Sequence, residues 1–175
     1  MAKVYVFLAN GFEDVEALIP VDVLRRGGVE VKTVSITGDS QVVETAHNVQ
    51  IVADAMIEDC DFSDADLLFL PGGMPGASNL YGHEGVRHAI CAAPAVVLAQ
   101  LGVLDGKRAT CYPGFEKLLT KTEYTADLVT VDGNITTAEG PAAAFPFAYE
   151  LLSQLVSKEV SDQIAEGMRF KHLMA

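Results

Sequence analysis

The stretch Val4-Tyr5-Val6-Phe7-Leu8-Ala9-Asn10-Gly11 decides the fold. Its unbroken apolar run, with β-branched and aromatic members, reads as a strand buried on both faces, as in the centre of a parallel sheet. Asn10-Gly11 then turns the chain. From Asp14 the residues Val15, Leu18, Ile19, Val23 and Leu24 recur with helical period. That run ends on Arg25-Arg26-Gly27-Gly28, with basic residues in the last turn and glycine where a C-cap belongs. Pro20, inside the run, is expected to bend the helix. Val29 to Ile36 alternates and is rich in Val and Thr, so it is a second strand reached by a βαβ crossover.

Outward from this unit, Gln41 to Glu44 and Val49 to Ala53 read as a hairpin around Thr45-Ala46-His47-Asn48 on the sheet's edge. Glu58 to Asp66 is acidic and turn-like. Leu67 to Leu70 is a buried strand stopped by Pro71-Gly72-Gly73-Met74-Pro75-Gly76. The glycines of that loop match neither a phosphate loop nor a dinucleotide fingerprint, and its backbone N–H groups suit an anion or oxyanion. Ala77 to His88 is expected to hold a short helix, and a second runs from Pro94 to about Leu101. Arg108 to Tyr112 is a further strand ending in Pro113-Gly114, and Glu116 to Leu119 begins a helix. Asp127 to Val131 and Asn134 to Ala138 flank Asp132-Gly133, a hairpin signal. Ala142 to Val156 and Val160 to Gly167 are the closing helices.

Strands alternating with helices through most of the chain predict a single α/β domain over residues 1–175, a sandwich with a mostly parallel central sheet. Working loops in such sheets lie at the carboxyl ends of the strands. Asn10 to Glu16, Pro71 to Gly76, the turn at Cys91 and Tyr112 to Gly114 all fall there.

A chain of 175 residues is long enough to bury one sizeable core. The formal charge of −12, from 12 basic and 24 acidic residues, argues against nucleic acid and anionic membrane as partners. Small molecules or proteins are left. The apolar run at the N-terminus is too short for a signal-peptide core or a membrane span, which predicts a cytosolic protein. Cys60, Cys91 and Cys111 have no metal-site spacing and are odd in number, so free thiols are expected. His47, His83, His88 and His172 are scattered. His83 and His88 are five apart, poor spacing for two ligands of one metal, and read as surface imidazoles, so no metal site is expected.

Ala89-Ile90-Cys91-Ala92-Ala93-Pro94-Ala95-Val96-Val97-Leu98 carries the candidate nucleophile. A cysteine among small residues, then a proline at a first helical position, suits a strand-to-helix turn whose dipole favours thiolate. The same residues also suit a free cysteine buried as a small hydrophobe. Glu16, on the first turn after the first strand, is the candidate partner. A carboxylic acid kept protonated by partial burial can donate a hydrogen bond to a thiolate. Glu13, Asp14 and Glu16 are equally consistent with acidic residues placed for the helix dipole.

Gly11 through Gly27, Leu70-Pro71-Gly72-Gly73, Ala89 through Pro94, and Glu139-Gly140-Pro141 together resemble the successive landmarks of the DJ-1/PfpI superfamily, closest to its DJ-1 branch. The resemblance implies a flavodoxin-like three-layer sandwich and a homodimer. It makes Cys91 an easily oxidised nucleophile, Glu16 its protonated hydrogen-bond donor, and the N–H groups of Gly72, Gly73 and Ala92 a charge-stabilising pocket. It further implies a cofactor-free glyoxalase converting methylglyoxal to lactate, with deglycase activity on glycated thiols and amines. An exposed low-pKa thiol is also prone to sulfenic and sulfinic acid formation, so a non-enzymatic redox sensor or chaperone-like stress-response dimer is the alternative. A peptidase- or amidotransferase-like hydrolase would need a histidine beside Cys91.

This chain departs from the family in two places. Tyr112 stands where many relatives have a histidine, and a phenol titrating near ~10 donates a hydrogen bond but is a poor base at neutral pH. From Leu67 to Cys91 the chain is also shorter than the ~30 residues of a strand-helix-strand unit. Gly85-Val86-Arg87-His88-Ala89-Ile90 puts a charge and an imidazole where a buried strand is expected, so that strand is shortened or missing, or a segment is absent from the sequence.

Overall fold

The computed structural model describes residues 1–82 and 94–173. Its centre is a parallel sheet of β1 (Lys3–Leu8), β2 (Glu30–Ser35), β5 (Ala55–Met56) and β6 (Leu67–Phe69) in the order β5-β2-β1-β6. The remaining strands are β3 (Val42–Glu44), β4 (Gln50–Val52), β7 (Arg108–Ala109), β8 (Glu123–Tyr124), β9 (Val129–Asp132) and β10 (Ile135–Ala138). The helices are α1 (Asp14–Arg26), α2 (Gly76–Gly82), α3 (Ala144–Leu155), α4 (Lys158–Gly167) and α5 (Phe170–Leu173).

Side chains alternate across a strand, and β1 shows why its sequence is apolar throughout. Val4, Val6 and Leu8 pack with Ala17, Val23 and Leu24 of α1 and Phe147, Leu151 and Leu152 of α3. Tyr5, Phe7 and Ala9 pack on the other face with Val34, Ile36, Leu70, Ala77 and Val97. Both faces of the strand are therefore core, giving the flavodoxin-like sandwich. A third cluster, around Leu98, Leu104, Ala109, Cys111 and Ile135, lies beside it. α1 and α3 approach so closely that a Cβ on Gly27 would collide with Leu152 Cδ1.

Several local expectations shift. The β3–β4 hairpin forms its own two-stranded sheet. It docks on the loop after β1, with Gly11 N–H donating to Glu44 O at 2.8 Å and Ala46 N–H to Phe12 O at 2.8 Å, while β5 takes the sheet's edge. The run from Pro94 is a wide turn over Pro94–Leu98, closed by Ala99 N–H donating to Pro94 O at 2.8 Å, and not an α-helix to Leu101. The β-branched pair Val96-Val97 lowers α propensity there. Only Arg108–Ala109 of the expected strand pairs, and it pairs with β8 outside the four-stranded sheet. Glu116–Leu118 is a single 3-10 turn. Asp132 pairs with Ile135, so the hairpin turn is Gly133-Asn134, with Gly133 at φ +61°. Sequence periodicity did not reveal α5. Among the described residues no helix is long and apolar enough to cross a membrane. The shortened stretch Gly85–Ile90, the residues Cys91 and Ala92, and the histidines at 83 and 88 lie outside the described residues.

Candidate active site

Three loops at the carboxyl ends of β1, β6 and β10 meet over the sheet, where a parallel α/β sheet places its ligands. The first two are joined through Gly72. Glu13 N–H donates to Gly72 O at 2.9 Å, and Gly72 N–H donates to Glu16 Oε2 at 2.8 Å. A Cβ on Gly72 would run into Glu16 Oε2, so only glycine lets the carboxyl come this close. Gly73 takes φ +92°, and a side chain there would run into the backbone N of Glu13.

Glu13 and Glu16 divide their tasks. Glu13 is the N-cap of α1, its Oε2 accepting the Glu16 N–H at 2.8 Å. The helix-terminus explanation thus belongs to Glu13. Glu16 turns into a cavity of about 270 Å³. Burial pushes its carboxyl up to about 7, with the Glu13 charge adding to the rise and the Gly72 N–H opposing it. Near neutral pH the group therefore exchanges a proton readily. Because Oε2 already accepts from Gly72, Oε1 is left to carry that proton.

The cavity wall combines the Gly72–Gly73 turn and Met74 with Ala77, the Pro94–Val96 turn, Cys111, Tyr112, Phe115, Ala138, Glu139 and Pro141. Of the residues expected at the site, the structure brings together Glu16, Gly72, Gly73 and Tyr112. The N–H of Gly72, expected to face a substrate oxygen, is committed to Glu16 instead, because the carboxyl packs directly against this glycine. Among the described residues nothing accepts from the Gly73 N–H, which remains the candidate donor. Tyr112 is 59 % exposed, with its ring against Gly140. Cys111 is buried, and burial followed by the charges of Glu116 and Glu139 pushes its thiol up to about 11. It is therefore a poor thiolate at neutral pH.

Sequence reasoning did not assign Glu13, Cys111, Phe115 or Glu139 to the site. Two signals bore on Glu139: it opens the Glu139-Gly140-Pro141 landmark, and it leaves the end of β10. Among the described residues, Glu13, Asp14 and His47 offer three metal-type ligand atoms within 4.8 Å of one another. Each is otherwise engaged: Asp14 accepts from Thr45 Oγ1 at 2.7 Å and lies 2.6 Å from His47 Nδ1, and Glu13 caps the helix.

This architecture has close counterparts. Residues 2–154 match the DJ-1/PfpI family. The chain is 37 % identical over 174 residues to Protein DJ-1 homolog A of Arabidopsis thaliana, covering 90 % of this chain and 44 % of that protein, so it spans less than half of that relative's length. It is 29 % identical over 171 residues to the glutathione-independent glyoxalase DJR-1.2 of Caenorhabditis elegans, covering 89 % of each. A cysteine-to-alanine mutant of a DJ-1 superfamily protein from Salmonella typhimurium superposes with a TM-score of 0.90 at 32 % identity, over 97 % of this chain and 98 % of that one. Together with a parallel sheet whose carboxyl-end loops hold Glu16 against Gly72, these matches place the chain in the DJ-1/PfpI family.

Proposed function

We propose that the protein is a cofactor-independent glyoxalase- or deglycase-type enzyme acting on small reactive aldehydes such as methylglyoxal, with Cys91 as nucleophile and Glu16 as proton carrier. The observation that carries this reading is Glu16 itself, a carboxyl held by a backbone N–H in a mostly apolar cavity and titrating near neutrality. The glyoxalase among its relatives agrees with it.

The chemistry balances without an oxidant. The Cys91 thiolate adds to the aldehyde carbon, and the alkoxide so formed is met by backbone donors, for which the N–H groups of Gly73 and Ala92 are proposed. Glu16 takes the proton from that carbon and returns one to the neighbouring carbonyl carbon, converting the hemithioacetal into a thioester of the 2-hydroxy acid. Water then cleaves the thioester, releasing lactate and the free thiol. Tyr112 lines the cavity, and its phenol is proposed as a hydrogen-bond donor to the substrate. With no histidine at its position, a Cys–His hydrolase is not proposed. A homodimer and a cytosolic setting belong to the same reading, and sedimentation and cell fractionation test them.

The decisive experiment is lactate formation from methylglyoxal by the wild type and by Cys91→Ala. Turnover that disappears in the variant is the expected result. No turnover by either protein overturns the enzymatic reading in favour of a redox sensor.

A further inference from the structure

Met74 lines the same cavity as Glu16, yet 54 % of it is open to solvent, whereas Met56 and Met168 are half-buried. The backbone on both sides of it is pinned. Gly72 O accepts from Glu13 N–H at 2.9 Å, Gly73 O accepts from Ala77 N–H at 2.9 Å, and Gly76 N–H donates to Gly11 O at 3.2 Å. The thioether is held at its far end too, where Ser78 Oγ, in the first turn of α2, donates to Met74 Sδ at 3.7 Å. One sulfur lone pair is thereby engaged, which leaves the other for reagents arriving from solvent. Met168 contrasts with it: its Sδ accepts from Tyr149 Oη at 3.6 Å, but the side chain packs against the core under α3.

We propose that Met74 is a reversible oxidation site, at which hydrogen peroxide turns the thioether into a sulfoxide and makes that part of the cavity wall polar. The open lone pair attacks one peroxide oxygen and the O–O bond breaks. The departing oxygen takes the proton left on the transferred one and leaves as water, so sulfur loses two electrons and peroxide gains them. Methionine sulfoxide is polar and chiral, and two reductases, one for each epimer, restore the thioether with electrons from thiols. A sulfur with one lone pair engaged gives one epimer in excess, whereas a freely turning methionine gives both. For a hydrogen bond at the weak end of the usual range the excess is ~two- to fivefold. The Glu16 carboxyl faces the same cavity and burial is what holds its midpoint up, so a polar wall lowers it. No step uses turnover, so this proposal stands or falls apart from the enzymatic reading.

The test treats the full chain with dilute hydrogen peroxide and follows sulfoxide at Met56, Met74 and Met168 by peptide mass spectrometry. Met74 is expected to oxidise several-fold faster than the other two. Digesting the oxidised protein and exposing the Met74 peptide to the S-specific or the R-specific sulfoxide reductase then counts the epimers. The wild type should show the two- to fivefold excess of one epimer, and Ser78→Ala nearly equal amounts. Carboxyl-carbon NMR titration reads the effect on the cavity: the Glu16 midpoint is expected to fall on oxidation of the wild type and to stay in place in peroxide-treated Met74→Leu, which keeps the volume and has no sulfur. Oxidation at Met74 no faster than at Met56 and Met168, or the same epimer ratio in the wild type and Ser78→Ala, overturns the site. A Glu16 midpoint that does not move in the wild type, or that moves equally in Met74→Leu, overturns its effect on the cavity.

Discussion

Replacing Glu16 with glutamine removes an ionisation that the fold resists. The carboxyl rises from an ordinary value of 4.5 to about 7, chiefly through burial. A group whose pKa is higher folded than unfolded contributes stability that is complete below the unfolded value and is lost as pH climbs to the folded one. The window here is pH 4.5 to 7, and at 1.36 kcal/mol per tenfold change in acidity the loss reaches ~3 kcal/mol at most. Glutamine keeps an oxygen for the Gly72 N–H and carries no charge. Glu16→Gln should therefore match the wild type near pH 4.5 and exceed it by up to ~3 kcal/mol at pH 8. With a urea slope of about 2 kcal/mol/M, this is a midpoint difference of ~1–1.5 M. Urea melts at fixed protein concentration from pH 4.5 to 8 measure it. A midpoint difference that stays constant across that range would refute the assignment of a raised, buried carboxyl to Glu16.

Other consequences follow from the same contacts. Gly72→Ala drives a methyl group into Glu16 Oε2 and is expected to cost about 1–3 kcal/mol, read as a fall in thermal midpoint, while Gly167→Ala, with open space around its Cα, should change it little; equal midpoints for the two variants would count against the close packing. His47 is held protonated to higher pH by its hydrogen bond with Asp14, so in Asp14→Asn its imidazole NMR titration should move to lower pH, and an unmoved midpoint would show that the pair does not form in solution.

Much of the scaffold is legible in short-range pattern. Val4 to Leu8 announces its two buried faces because every residue in the run has a large apolar body and none is charged, and Asp14 to Arg26 announces a helix through period and caps. Elsewhere local pattern misleads. Residues 41–53 form the expected hairpin, but whether it pairs with the sheet edge or docks on the loop after β1 depends on partners such as Gly11 and Phe12, which a hairpin's own alternation does not encode. The tract after Pro94 has helical apolar spacing but closes as a wide turn, its β-branched Val96-Val97 pair giving little α propensity to hold against the packing of Val97 and Leu98 into two separate cores.

The candidate site divides along the same line. From sequence alone, Glu16 was the candidate partner of a thiolate but, like Glu13 and Asp14, equally explained as an acid placed for the helix dipole, and Gly72 was one of several loop N–H groups available to an anion. Sequence by itself determined that an acid and a glycine turn would lie at the carboxyl end of a parallel sheet, because strand ends and turn chemistry are written locally. Only the tertiary structure decided that Gly72, 56 positions from Glu16, spends its N–H on that carboxyl, that Glu13 alone caps the helix, and that Glu139 and Tyr112 line the same cavity as Glu16. Burial and hydrogen-bond partners fix a carboxyl's proton affinity, and both come from contacts between residues far apart in the chain.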